Sequence, residues 1–158
     1  MPIIKDINSL VPQAAIHCNR FLGECGKINL PVTINETVRM PETQILYYLQ
    51  GRIDFEENPD ILAEFNKIRG IFRFWDIGVA ESKRKITWKL DSNHLYGIAF
   101  DAVPLDSKGK PWWNAPLDVQ EKMGECGERA GLVWGGRWSG KKRDWPHFEW
   151  RENALQTG

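Results

Sequence analysis

The stretch Ser92-Asn93-His94-Leu95-Tyr96-Gly97-Ile98-Ala99-Phe100-Asp101-Ala102-Val103 decides how this chain is read. Ile98 to Val103 reads as a β-strand on which Ile98 and Phe100 share one face while Ala99 and Asp101 share the other. The small Ala99 methyl leaves room beside the Asp101 carboxylate. His94 and Asp101 are an odd number of residues apart, so an uninterrupted strand would point them in opposite directions. Gly97 supplies the permissive backbone that lets both converge. A second stretch, Asp144-Trp145-Pro146-His147-Phe148-Glu149-Trp150, again combines an imidazole with a carboxylate and a backbone-bending residue. Pro146 biases Trp145 towards an extended conformation, and the bend could aim Asp144 and His147 at one point.

Outward from these stretches the chain alternates helices and short strands. Ser9 can cap a helix whose residues Leu10, Ala14, His17, Cys18, Phe21, Leu22 and Cys25 recur at helical steps up to Gly26. His17 falls on that apolar face and reads as a packed, hydrogen-bonded histidine rather than a ligand. Val32 and Ile34 alternate as a strand, and Pro41 opens a short helix closed by Gly51, which leaves Arg39 at a strand-to-helix junction. Asn58-Pro59 begins a third helix with a stripe of Ile61, Leu62, Phe65 and Ile68, stopped at Gly70. Ile86, Trp88 and Leu90 alternate as a further strand. Val119, Met123, Cys126 and Ala130 form a last helical stripe between Pro116 and Gly131, and a hairpin is expected around Ser139 to Lys142. The pattern predicts a single α+β domain over residues 1–158, an antiparallel sheet with helices packed on one side. The charged segment at about 53–85 reads as a helical insertion into a smaller core.

The 158 residues are 42% hydrophobic and 27% charged, enough for one ordinary core. The 21 Lys+Arg balance 21 Asp+Glu, which removes the basic excess that nucleic-acid binding requires. No apolar run approaches the roughly 18 residues of a membrane span, and the start shows no export signal. Cytoplasmic accumulation without membrane insertion is the expectation. Cys18, Cys25 and Cys126 are an odd count without a Cys-x-x-Cys pair, so they read as reduced structural thiols. Of eight Trp, the C-terminal Trp112, Trp113, Trp134, Trp138, Trp145 and Trp150 either pack in the core or wall a groove.

Two imidazoles and one carboxylate, His94, His147 and Asp101, form a donor set suited to Zn²⁺ with a fourth position left for water. Asp144, which would not bind the metal, is then positioned to take a proton from that water. The competing reading is two solvated histidines and a turn aspartate.

The pattern Ser92-x-His94-x-x-Gly97-x-Ala99-x-Asp101, followed by Asp144-x-Pro146-His147-Phe148, resembles the zinc D-alanyl-D-alanine carboxypeptidase family. Within it, the bacteriophage endolysins that cleave L-alanyl-D-glutamate bonds in peptidoglycan are the most similar branch. Upstream, the segment from Glu36 through Arg39 and Gln44 to Gly51-Arg52 is similar to the family's arginine-bearing segment and following helix. Residues 53–85 do not follow the family pattern.

The resemblance implies a Hedgehog/DD-peptidase-like fold with a zinc-centred cleft. His94, Asp101 and His147 would be the zinc ligands, Asp144 the general base, and Arg39 the group that meets the substrate carbonyl oxygen or a carboxylate. Ser92 would hold a ligand or substrate group, its alternative being a turn serine bonded to local backbone, and Trp145 would line the groove. The implied activity is hydrolysis of peptidoglycan stem peptides by a monomeric phage or prophage endolysin that reaches the wall after release. The alternatives are a D-alanyl-D-alanine carboxypeptidase or dipeptidase of the same fold, and an inactive zinc-dependent wall-binding module.

Overall fold

In the computed structural model, which describes residues 3–87 and 89–152, β2 (Ala99–Pro104) is the strand around which the sheet is built. It pairs antiparallel with β1 (Val32–Glu36) on one edge and with β4 (His147–Glu149) on the other, and β4 pairs in turn with β3 (Val133–Trp134). The four strands run in the order β1-β2-β4-β3. The side chains alternate as a pleated strand demands. Phe100, Ala102, Phe148 and Trp134 enter the main core, while Ala99, Asp101, His147 and Glu149 occupy the opposite face.

Helices α1 (Pro12–Lys27) and α5 (Leu117–Arg129) cover the core face. Phe21 of α1 sits 4.8 Å from the Phe148 ring and 5.7 Å from the Phe100 ring. Burial of each such ring contributes about 1.5–3 kcal/mol. Two glycines let α5 settle onto the sheet: a Cβ on Gly124 would stand 2.2 Å from the Trp134 ring, and one on Gly127 would stand 2.3 Å from Phe148. His17 is buried, and its Nδ1 donates to the Ala130 carbonyl at 2.6 Å, as its place on the apolar face predicts.

Several local expectations need correction. Ser9 does not cap α1: Pro12 takes the first turn, and the Ser9 hydroxyl donates to the Asp6 carbonyl and meets the Thr37 hydroxyl instead. The helix also runs through Gly26 to Lys27, and Asn29 takes the left-handed conformation that turns the chain. Residues 83–87 and 89–92 form no strand, and Trp88 lies outside the described residues. In α3 (Pro59–Ile71) the buried side is Phe65 with Arg69 and partly Leu62, whereas Ile61 and Ile68 face solvent. That face packs into a second hydrophobic cluster of Leu46, Phe55, Phe65, Phe74 and Ile77. The cluster joins α3 to α2 (Pro41–Leu49), and a short helix α4 (Val79–Ser82) follows. Asn66 fastens the loop between them, donating to the Ile77 carbonyl and accepting from the Ile77 amide at 3.0 Å each. Among the described residues, no helix is long and apolar enough to cross a membrane.

Candidate metal centre

Asp101 projects from the sheet face opposite α1 and α5, directly across the β2–β4 pair from His147. His94 arrives from a turn over residues 93–97, and Gly97 at φ +67° swings the chain from that turn into β2. The parity problem posed by the sequence is solved at this glycine. The turn is held by the Thr37 carbonyl, which accepts from His94 Nδ1 at 2.7 Å, and by the His94 carbonyl, which accepts from the Arg39 amide at 3.1 Å.

Three potential ligand atoms of His94, Asp101 and His147 lie within 4.8 Å of one another. Asp101 Oδ1 is 3.3 Å from His94 Nε2 and 3.5 Å from His147 Nδ1. Ligand atoms about 2.0–2.1 Å from a tetrahedral zinc are separated by roughly 3.3–3.4 Å, so these two edges have the size of a zinc polyhedron. The far nitrogens are committed elsewhere. His94 Nδ1 donates to a backbone carbonyl, and His147 Nε2 donates to Glu149 Oε2 at 3.0 Å. Each imidazole in its neutral form therefore turns a lone pair towards Asp101 Oδ1, itself buried and without a hydrogen-bond partner among the described residues. Three electron-rich atoms facing one another require a positive charge between them. The set of two imidazoles and one carboxylate fits Zn²⁺, with an outer layer that fixes both ring orientations.

The protonation pattern expresses the same demand. Burial works against a charge on His147, yet Asp101 and Glu149 push its pKa up to about 9. Burial alone would raise the Asp101 carboxyl, but the two imidazoles hold it well below the usual carboxylate range. Without a metal, a proton on His147 supplies the charge that a divalent cation would otherwise bring.

Glu149 is a residue that the sequence reading passed over. It is fully buried, accepts from His147 and from Asn93 Nδ2 at 2.7 Å, and is paired with Arg151. Burial opposes its ionisation, but His147 and Asn93 hold its pKa near 2. The signal was available: in a strand, Glu149 shares the face of His147 two positions before it. Glu36 was missed as well. A bulge near the end of β1 brings it opposite Asp101, where its carboxylate makes a two-point ion pair with Arg39.

Arg39 is buried at the junction between β1 and α2, as its place in the sequence predicts. Its Nε donates to Glu36 at 3.0 Å and one Nη donates to Gln44 Oε1 at 2.8 Å. Burial disfavours its charge, but the pairing with Glu36 outweighs that and raises its pKa. Asp144 lies at the rim of the trio and remains open to solvent. Dehydration by the atoms around it, and then the negative charge of Asp101, raise its carboxyl pKa. Its backbone is pressed against Gly135, where a Cβ would meet the Asp144 carbonyl oxygen at 2.5 Å.

Ser92 and Trp145, expected at the site, make local contacts. The Ser92 hydroxyl accepts from the His94 amide at 3.5 Å, so it acts within its own turn. The Trp145 ring packs tilted against Trp134, centroids 5.6 Å apart, and under Arg143, lining a surface cavity shared with Leu117 and Arg137. The indole beside the histidines is Trp138, with its ring 5.0 Å from that of His147. Arg137 is neutralised by two hydrogen bonds to Glu128.

Residues 85–150, which hold all three members of the trio and Asp144, match the model of a family described as D-alanyl-D-alanine carboxypeptidase. No curated protein matches the chain at a significant level. Among solved structures, the Serratia marcescens L-Ala D-Glu endopeptidase ChiX aligns over 94% of this chain and 86% of its own at 17% identity, with a TM-score of 0.54. A variant of the vancomycin-resistance D,D-pentapeptidase VanY from a VanB-type cassette, in complex with Zn(II), aligns over 93% of this chain and 76% of its own. Its identity is 14% and its TM-score 0.54. VanYB in complex with D-alanine-D-alanine aligns over 93% of this chain and 75% of its own at 15% identity, with a TM-score of 0.51. At these identities the likenesses establish the α+β fold expected from the sequence.

Proposed function

We propose that this chain is a zinc-dependent peptidase that hydrolyses peptide bonds in the stem peptides of bacterial peptidoglycan. The observation that carries the reading is the buried Asp101 Oδ1, lacking a hydrogen-bond partner among the described residues and faced by one nitrogen from each of two oriented imidazoles. The family match over residues 85–150 supports peptide hydrolysis as the reaction class, and the zinc-bound D,D-pentapeptidase of similar fold supports the choice of metal.

In this reading His94, Asp101 and His147 would hold zinc, which would supply Lewis acidity to the substrate carbonyl and the attacking water. Asp144 accepts the proton of the attacking water and delivers it to the leaving amine, a role suited to a carboxyl with a raised pKa. Among the described residues Arg39 commits three of its five N–H groups to Glu36 and Gln44, which leaves two for a substrate oxygen. Trp138 offers an apolar wall beside His147.

The narrower reading is an L-alanyl-D-glutamate endopeptidase of phage or prophage origin, acting as a monomer that accumulates in the cytoplasm and meets the wall after release. The fold likeness to ChiX and the resemblance of the motifs to endolysins support it. Residues 53–85 are read as an insertion within one domain, supported by the separate hydrophobic cluster that they build. Metal analysis of the purified protein, with fragment masses from digested sacculi, tests the whole reading. One equivalent of zinc with release of stem peptides that begin at D-glutamate, L-alanine staying on muramic acid, supports it. Release of terminal D-alanine alone favours the carboxypeptidase, and stoichiometric zinc with no cleavage favours a binding module.

A further inference from the structure

We propose that the 53–85 segment acts as a buttress for Arg39, with Tyr47 and Phe74 as positioning residues that hold the guanidinium in place. Glu36 and Gln44 satisfy the edge of the Arg39 guanidinium, but its face is covered by the Tyr47 ring at 4.9 Å. Tyr47 is a residue of α2 whose ring meets Phe74 edge-on at 6.0 Å and 71°. Phe74 belongs to the second hydrophobic cluster and is itself backed by the buried Arg69, whose guanidinium lies 5.6 Å from the Phe74 ring. Arg69 is anchored by its Nε, which donates to the Trp75 carbonyl at 3.0 Å. A continuous packed path therefore runs from the segment that does not follow the family pattern to the arginine beside the metal trio.

The significance of the buttress for catalysis rests on the peptidase reading, whereas the positional effect does not. The test uses ¹⁵N-labelled full-length protein loaded with zinc. The Arg39 Nε–H resonance is assigned by its loss in Arg39→Lys, and its hydrogen exchange is followed in Tyr47→Leu, Phe74→Leu and Tyr47→Phe. Tyr47→Leu and Phe74→Leu are expected to speed exchange about tenfold and to lower kcat for stem-peptide cleavage about tenfold. Zinc stoichiometry should stay unchanged, and Tyr47→Phe, which keeps the ring, should restore both readouts. Unchanged exchange in both leucine variants overturns the proposal, as does equal acceleration in Tyr47→Phe or loss of zinc in step with exchange. If exchange responds as expected while the wild-type protein cleaves no wall peptide, the buttress stands and the peptidase reading fails.

Discussion

Asp101 Oδ1 lies 3.5 Å from His147 Nδ1, across a strand pair that fixes both backbones, and it has no hydrogen-bond partner among the described residues. A rigid sheet register thus holds a negative oxygen against a ring nitrogen, and the pair calls for a positive charge between them, a proton or a metal ion.

His94→Ala and His147→Ala are each expected to reduce zinc content well below one equivalent and to abolish turnover with it. Asp144→Asn should retain zinc and lose about 10²–10⁴-fold in kcat, the usual worth of a proton-transfer group. Metal analysis paired with sacculus digestion checks both. Full zinc retention in the two histidine variants would sink the assignment of the trio.

Glu149→Gln keeps the shape of the side chain but removes the charge that receives the His147 Nε2 proton. Zinc affinity is expected to fall about 10–100-fold, as for other groups that orient a metal-binding histidine. Competition with a chromophoric chelator measures it. A dissociation constant within twofold of wild type would remove Glu149 from the site.

Gly124→Ala would drive a methyl to 2.2 Å from the Trp134 ring, which is buried in the main core. The expected cost is about 1–3 kcal/mol of folding stability, read from urea denaturation. Gly109→Ala provides a contrast in a different mechanism: nothing lies within 4 Å of a Cβ there, and only its φ of +73° resists the change.

Alkaline conditions should destabilise the protein through its buried thiols. Burial pushes the Cys18 thiol up to about 12 from an ordinary 9.0, so the folded state keeps a proton that the unfolded chain releases. The associated stability is present in full below pH 9 and is lost as the pH rises towards 12, at roughly 1.4 kcal/mol per pH unit. Burial also raises Cys25, and it lifts Tyr47 to about 12, so both add to the loss. Urea midpoints at pH 8, 9, 10 and 11 should fall progressively, with a shallower slope in Cys18→Ala.

The sheet face that carries the trio was legible because period-two alternation leaves little freedom. Once Phe100 and Phe148 are inside, Asp101 and His147 must share the other side. Gly97 marked the place where His94 could rejoin them. Glu149 follows from the same alternation, since it stands two positions from His147 on one strand face. The α3 stripe misled for a different reason: Ile61 and Ile68 recur at helical steps, but the partner surface is a local cluster gathered from loops whose spacing has no period. The alternation of Ile86 with Leu90 was too short to compete with the backbone contacts that claim this segment. There, Gln44 Nε2 donates to the Lys89 carbonyl.

The Asn93–Glu149 hydrogen bond links the neighbours of His94 and His147, which lie far apart in the chain. In the zinc reading this bond would couple the two arms of the centre, so a change that loosens one would slacken the other.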